Sequence, residues 1–243
     1  MKALILNSGM GRRMGVLTSE HPKCMTEISG TDTILSRQLK LLLRAGIREV
    51  VITTGFFDKV LVDYCESLDF PLNYTFVKNP IYKDTNYIYS IYCAREHLRD
   101  ENIVLMHGDL VFDEQVLLGE MRVSDSVMAV SSTLPLPEKD FKAVVKDGHI
   151  KAVGIEFFED AFEAQALYKL NRDTWNLWLC NIIAYCESGE EKKRTCYAEA
   201  AFNEISDRCI IYPYDCKDLL CAEIDDPEDL KIVSQRLVEI EEK

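Results

Sequence analysis

The sequence contains no C-x-x-C pair, no Gly/Ser-rich or Pro-rich linker and no internal repeat. Nor does any stretch approach the ~20 apolar residues of a membrane span. Without paired spacing, the nine cysteines, an odd number, supply neither a zinc ligand set nor a disulfide framework. Most lie in apolar stretches (Cys65, Cys93, Cys180, Cys186, Cys221), where reduced thiols serve as small core residues. The opening run Met1 to Leu6 is too short for a signal peptide and is ended by Asn7 and Ser8, so the expectation is a cytoplasmic protein with no membrane partner. Positive charge is also scarce. Lys and Arg number 28 against 41 Asp and Glu, a net charge of −13. A field of that sign repels a nucleic-acid backbone, and any phosphate ligand must be held by a local cluster of cations or by a metal. What remains is a chain of 243 residues, 47% hydrophobic and 28% charged, the balance of an ordinary soluble globule. That length buries a core without disulfide or metal staples.

The first half alternates strand and helix signals. Residues 2–6 form a short apolar run that stops at a Gly-rich turn, as a buried parallel strand does. Leu35, Leu39, Leu42 and Leu43 make a helical stripe over 34–45, closed by Gly46. Further strands are predicted over 49–54, 72–77 and 103–107, with helices over 58–68 and 86–98. This alternation implies βαβ units and a parallel sheet. The second half is mixed. Strands are predicted over 126–131, 141–145 and 150–155, the last two joined by the hairpin signal Asp147-Gly148. Helices are predicted over 174–186 and 197–205, strands over 209–212 and 219–224, and a last helix opened by Asp226-Pro227. One α/β domain with a mixed sheet fits this pattern better than two.

Three places stand out chemically. Gly9 and Gly11 lie in a turn directly after the first strand, where backbone N–H groups can wrap a phosphate. The third glycine, Gly15, comes one residue too late for the dinucleotide fingerprint, and no G-K-[ST] follows for a Walker loop. Arg13 and Lys23 add the cations that a triphosphate needs, although an ordinary βα turn with surface basic residues has the same spacing. Asp109 follows the strand over 103–107, where a carboxylate points into the ligand crevice of an open sheet or else caps the next helix. In Glu223-Ile224-Asp225-Asp226-Pro227, Asp226 is the better N-cap, which leaves Asp225 free to bind something. Two carboxylates from such distant segments suit one Mg²⁺.

The run from Leu6 to Lys23 resembles the signature L-x-x-G-x-G-x-R-[ML]-x-P-L-T-x-x-x-P-K of the nucleotidyltransferase family with a GT-A-like fold. Gly9, Gly11, Arg13, Met14, Leu17, Thr18, Pro22 and Lys23 match in register, while Val16 replaces the usual Pro and Asn7-Ser8 the usual small pair. Within that family, Asn79-Pro80-Ile81-Tyr82 and Thr85-Asn86-Tyr87-Ile88-Tyr89-Ser90 are similar to the N-x-x-Y…N-[NY]-x-Y-S-L stretch of the small phosphocholine and 2-aminoethylphosphonate cytidylyltransferases. The segment Cys196 to Asn203 resembles their substrate-side helix, with Ala200 where a second acid often stands. The Glu-Lys-Pro strand by which the sugar enzymes bind sugar has no counterpart here.

The resemblance implies a single-domain Rossmann-like (GT-A-like) α/β fold with a mixed, mostly parallel central sheet. About residues 1–125 would bind nucleotide, and about 126–243 would bind acceptor and close the site. It implies transfer of CMP from CTP to a small phosphorylated amine or phosphonate, with release of pyrophosphate. Lys23, Arg13 and Asp109 would be catalytic, and Asp109 and Asp225 would hold Mg²⁺. Leu6, Asn7, Ser8, Gly9, Gly11, Arg13, Lys23 and Gly108 would surround the nucleotide, with Asn86 and Ser90 reading base or ribose. A cationic acceptor end wants aromatic faces and a carboxylate, and Trp175, Trp178, Tyr197 and Glu199 lie in the region that would cover the site. The two tryptophans stand three apart on a predicted helix and equally suit its buried face. His107 is read as a strand-end residue near the site and the other histidines as surface. Two other readings stay open: a sugar-1-phosphate acceptor, and a non-catalytic nucleotide-binding module. Intact Arg13, Lys23, Asp109 and Asp225 argue against the second. A homodimer is left open.

Overall fold

The computed structural model describes residues 1–30 and 32–241. Residues 242–243, the end of the span expected to form one domain, lie outside the described residues. The strands are β1 (Lys2–Leu6), β2 (Glu27–Ser29), β3 (Asp32–Thr33), β4 (Glu49–Thr54), β5 (Asn73–Lys78), β6 (Ile103–His107), β7 (Leu110–Phe112), β8 (Val127–Ser131), β9 (Lys142–Lys146), β10 (His149–Gly154), β11 (Ala161–Leu170), β12 (Tyr212–Asp215) and β13 (Cys221–Glu223). The α-helices are α1 (Ile34–Arg44), α2 (Asp58–Ser67), α3 (Tyr87–Leu98), α4 (Glu114–Arg122), α5 (Arg172–Glu187), α6 (Glu191–Thr195), α7 (Ala198–Asn203) and α8 (Pro227–Glu241).

The central sheet is mixed, as expected. One half runs β5-β4-β1-β6, all parallel. These strands are joined by helices, and their continuous apolar runs are buried on both faces: Ala3, Leu4 and Ile5 in β1 have no exposed surface. Beyond β6 the direction reverses. β11 runs antiparallel to β6 through Leu167–Leu170 and to β9 through Ala161–Glu163, while β8 pairs along its other edge. β12 adds parallel to β8.

The chain builds β1, β4 and β5 in one direction and then crosses back to place β6 on the other side of β1. That reversal leaves a crevice at the carboxyl ends of β1 and β6, where open α/β sheets bind ligands. One apolar layer, with Leu35, Leu39, Leu61 and Val116, packs α1, α2 and α4 on one face of the sheet. The other, with Ile88, Trp175, Trp178 and Phe202, packs α3, α5 and α7 on the opposite face. Burying each such side chain contributes about 1.5–3 kcal/mol. A third, smaller cluster joins Met14 and Ile34 to Ile224, Val233 and Leu237, and so fixes α8 and the turn before it against the first loop.

Several segments differ from the sequence expectation, among them β2, β3, β7, α4 and α6, where no strand or helix is predicted. β11, the longest strand, was not predicted. The strand predicted over 209–212 forms instead over Tyr212–Asp215, across Pro213. Proline is tolerated there because β12 pairs only with β8 and leaves its other edge free of ladder bonds.

Candidate active site

The crevice is a cavity of about 580 Å³, within the ~300–1,000 Å³ range of small-molecule sites. Leu6 and His107 are directly paired at the ends of β1 and β6, so the loops that follow them leave the sheet side by side. From the first come Asn7, Gly9, Gly11, Arg12 and Arg13; from the second, Gly108 and Asp109. Gly11 adopts φ +59°, a left-handed conformation, and Thr18 Oγ donates to its carbonyl at 2.9 Å. A Cβ there would lie 3.2 Å from Lys23 Cβ, so the loop folds back onto the lysine. Asn7 is buried, and its Nδ2 has no hydrogen-bond partner among the described residues. An adjoining hollow of about 170 Å³ is lined by Ser8, Gly9, Asn79, Thr85, Asn86 and Ser90, among others.

The four residues expected to carry the chemistry meet at one point. Lys23 Nζ donates to Asp225 Oδ1 at 2.8 Å and also to Asp109 Oδ2. Arg13 Nη2 lies 2.8 Å from Asp225 Oδ2. Burial disfavours the Lys23 ammonium, but Asp109 and Asp225 outweigh it and hold its pKa above the ordinary lysine value. Burial likewise opposes the Asp109 carboxylate, yet Lys23 and then His107 keep its pKa below the usual range.

Local capping explains why these carboxylates are available. The helix after Asp109 is capped by Asp113, whose side chain accepts from Gln115 N at 2.8 Å, so Asp109 is not a cap. Asp226 caps α8 by accepting from Glu228 N and Asp229 N, while Asp229 Oδ2 accepts from the backbone N–H groups of Asp225 and Asp226. The turn is therefore held from both sides, with the Asp225 side chain facing the cavity.

Sequence reasoning missed Glu223, which lines the cavity two residues before Asp225. His107 Nδ1 sits 2.7 Å from Glu223 Oε1. Burial lowers the pKa of His107, but Glu223 overrides it and the imidazole is pushed up to about 9. The only sequence signal for Glu223 was its place at a strand end beside Asp225.

The acceptor-side expectations need correction. Trp175 and Trp178 have no exposed surface and do not line the cavity. Their indole N–H groups donate to Leu98 O and Ala198 O, each at 2.9 Å, and their rings pack in the core. The three-residue spacing marked the buried face of α5. Glu199 is also buried: its carboxylate accepts from Tyr168 OH at 2.8 Å and from Tyr87 OH, so it positions Tyr87 rather than facing the cavity. Asn86, expected to read base or ribose, lines both the cavity and the adjoining hollow, and its Oδ1 caps α3 by accepting from Tyr87 N at 2.7 Å. Ser90 lies at the buried end of the adjoining hollow, where its Oγ accepts from Ser8 Oγ at 2.7 Å and Asn79 Nδ2 at 3.1 Å and braces the loop. Tyr197 does line the cavity. It stacks on Tyr87 at 5.8 Å and meets Phe141 edge-on at 5.1 Å, which together with His107 makes one aromatic wall.

The donor set fits a divalent cation of the magnesium type. Asp109 Oδ1 is buried with no hydrogen-bond partner among the described residues, and Asp109 and Asp225 share one ammonium, so their oxygens already bracket a cation-sized space. His107, Asp109 and Glu223 also present atoms within 4.8 Å of one another. Among the described residues no helix is long and apolar enough to cross a membrane.

Several known proteins are similar to this chain. The first 136-residue match is to the CMP-5'-(3-aminopropyl)phosphonate synthase of Streptomyces rubellomurinus, 31% identical over 56% of this chain and 21% of that protein. The D-glycero-alpha-D-manno-heptose 1-phosphate guanylyltransferase of Aneurinibacillus thermoaerophilus is 24% identical over 79% of this chain and 80% of its own length. The chain spans less than half the length of several curated relatives it matches. Among solved structures, the CTP:phosphocholine cytidylyltransferase of Streptococcus pneumoniae superposes with a TM-score of 0.76 at 20% identity, covering 97% of this chain and 98% of that one, which shows a common fold. The family profile described as the MobA-like NTP transferase domain matches residues 3–133, more than half of the sequence. The chain belongs to the MobA-like NTP transferase domain family.

Proposed function

We propose that this protein is a divalent-metal-dependent cytidylyltransferase, which joins CMP from CTP to a small phosphorylated amine or aminophosphonate and releases pyrophosphate. The observation that carries the reading is the meeting of Arg13, Lys23, Asp109 and Asp225 beside the Gly9–Gly11 loop in one cavity. An acceptor phosphate or phosphonate is already an anion at neutral pH. The transfer therefore needs no general base; it needs alignment and charge neutralisation.

In this reading Asp109 and Asp225 hold Mg²⁺. When bound, the ion supplies charge neutralisation on the phosphates and a template for the in-line attack. Backbone N–H groups of the 9–13 loop and Arg13 take the β and γ phosphates and the departing pyrophosphate. Lys23 neutralises charge on the α-phosphate as the acceptor oxygen approaches. Asn7, with an unpaired buried amide, offers a donor to the nucleotide.

The acceptor end of the cavity suits a cation. Tyr87, Tyr197 and Phe141 present aromatic surface, and Glu223 and Asp140 line the same cavity. The names of the phosphonate and phosphocholine relatives support this choice of acceptor. A sugar-1-phosphate acceptor is the second reading, favoured by the heptose 1-phosphate relative, which matches along most of the chain.

The test is pyrophosphate release with CTP, Mg²⁺ and a panel of phosphocholine, phosphoethanolamine, 2-aminoethylphosphonate, phosphoglutamine and glucose-1-phosphate. Release with one amine-bearing acceptor is the expected result. Release with the sugar alone moves the second reading forward. No release with any acceptor, repeated with UTP, ATP and GTP, refutes both.

A further inference from the structure

The cations and carboxylates of the site pair with one another. Asp225 has both oxygens covered, Oδ1 by Lys23 Nζ and Oδ2 by Arg13 Nη2, each at 2.8 Å. Asp109 has Oδ2 covered by the same ammonium, which leaves only the buried Oδ1 of the four oxygens without a partner. Lys23 therefore stands where an ion bridging Asp109 and Asp225 would have to stand. A divalent ion binds carboxylate oxygens at about 2.0–2.1 Å, inside the radius the ammonium already fills, so the two cannot share the pair.

We propose that Lys23, assisted by Arg13, is a latch that keeps a free divalent ion out of the Asp109–Asp225 site until a nucleoside triphosphate draws both cations away. This rests on the reading above that these two carboxylates are the metal ligands. At the Asp109–Asp225 pair two cations face two carboxylates, so the pair itself offers no net negative charge to a lone metal ion. The triphosphate changes the balance. Its oxygens offer Lys23 and Arg13 better-matched partners, and each contact they form uncovers a carboxylate oxygen for the ion that accompanies the nucleotide. Arg13 is largely exposed, at 65%, and can leave Asp225 without disturbing packing. Lys23 is held at 15% exposure on a short 3₁₀ turn against Gly11, so only its side-chain end has to move. The ion and the nucleotide then enter as a unit, and the ammonium that blocked the ion is delivered to the phosphates by the same displacement.

The test uses Mn²⁺ alone, followed by electron paramagnetic resonance, on the full chain. Lys23→Met keeps the apolar stem and removes the charge. It should bind Mn²⁺ without nucleotide about tenfold or more tightly than the wild type, within the ~5–150-fold span of couplings between sites. Arg13→Met, which uncovers one oxygen only, should gain less, and it keeps the test open if Lys23→Met fails to fold. Lys139→Met removes equal charge from the same cavity without an ion pair to either carboxylate among the described residues, and should gain little. Adding Asp225→Asn to Lys23→Met should abolish the gain.

If both Met variants at 13 and 23 bind Mn²⁺ no more tightly than wild type while Asp225→Asn lowers binding, the latch is wrong and the ligand assignment stands. A gain at Lys139→Met equal to that at Lys23→Met also refutes the latch, by making the effect a general field. If no protein binds Mn²⁺, with CTP or without, the latch falls together with the metal reading beneath it.

Discussion

Replacing Gly108 by alanine tests whether the two loops depend on each other. An added Cβ at 108 would lie 1.7 Å from Asn7 Oδ1 and 2.8 Å from Leu6 O. The Asn7 side chain can swing aside, because its amide makes no hydrogen bond, at the ~0.5–1.5 kcal/mol of an off-rotamer side chain. Leu6 O cannot recede so easily. It accepts from Gly108 N at 3.0 Å, so relief parts the ends of β1 and β6. Overpacking of this kind costs about 1–3 kcal/mol. For a chain of this length, about 2 kcal/mol lowers Tm by roughly 4–8 °C. The displaced Asn7 enters the cavity, so CTP affinity should fall about tenfold, the equivalent of ~1.4 kcal/mol. Gly9→Ala is the contrast: nothing lies within 4 Å of its Cβ position, and Tm should hold. Differential scanning calorimetry and calorimetric titration with CTP read both effects. Wild-type Tm and wild-type CTP affinity in Gly108→Ala would refute the packing argument.

Three further outcomes are expected. Asp109→Asn and Asp225→Asn should each lower turnover with Mg²⁺ by about 100-fold or more; survival of more than a few per cent would remove them from the metal role. Trp175→Phe leaves Leu98 O without its buried donor and should cost about 1–3 kcal/mol of stability with the acceptor KM unchanged, whereas a raised KM at constant Tm would return the indole to the site. His107 should titrate near 9 in the metal-free protein, as read from its imidazole NMR signals, and Glu223→Gln should bring the midpoint down to the ordinary value of 6.5 or lower. Because the folded pKa is raised, the stabilisation from this pair is fully present below about pH 6.5 and is lost as pH climbs through about 9. A midpoint unmoved by Glu223→Gln would mean that the carboxylate is not its partner.

The legible parts of the fold were those where local signals agree with tertiary placement. β4 was expected and found over Glu49–Thr54, where an uninterrupted β-branched run is also fully sandwiched. β11 was missed because Ala161–Leu170 carries Ala, Glu, Gln, Leu and Lys, good helix formers with no clean alternation. Its neighbours override that preference: β6 and β9 take one edge in turn, and β8 takes the other. Its buried Lys169 is satisfied by distant backbone. Lys169 Nζ caps the carbonyls of Val123, Ser124 and Asp125 at 2.8–3.1 Å. No local window contains those partners.

The site divides in the same way, and for the same reason. The side proposed for the phosphates is written in one run of sequence, Gly9 to Lys23, because Gly9, Gly11 and Arg13 share one tight loop and Lys23 lies on the next turn, against Gly11. The other side is assembled from Tyr87 on α3, Phe141 before β9, Tyr197 before α7, and Glu223 on β13. Between these, only the fold sets the spacing. An aromatic or acidic residue that faces the cavity then looks the same in sequence as one that faces the core. Trp178 illustrates the confusion: it lies behind the wall, holding Ala198 O at the start of the helix that carries Glu199, which in turn holds Tyr87. The family match stops at residue 133, so it spans the loop, Lys23 and Asp109 but none of Phe141, Tyr197, Glu223 or Asp225. In the proposed reading both sides of the site therefore cross the boundary of the family match: Tyr87 of the acceptor wall lies inside it, and Asp225 of the metal pair lies outside it.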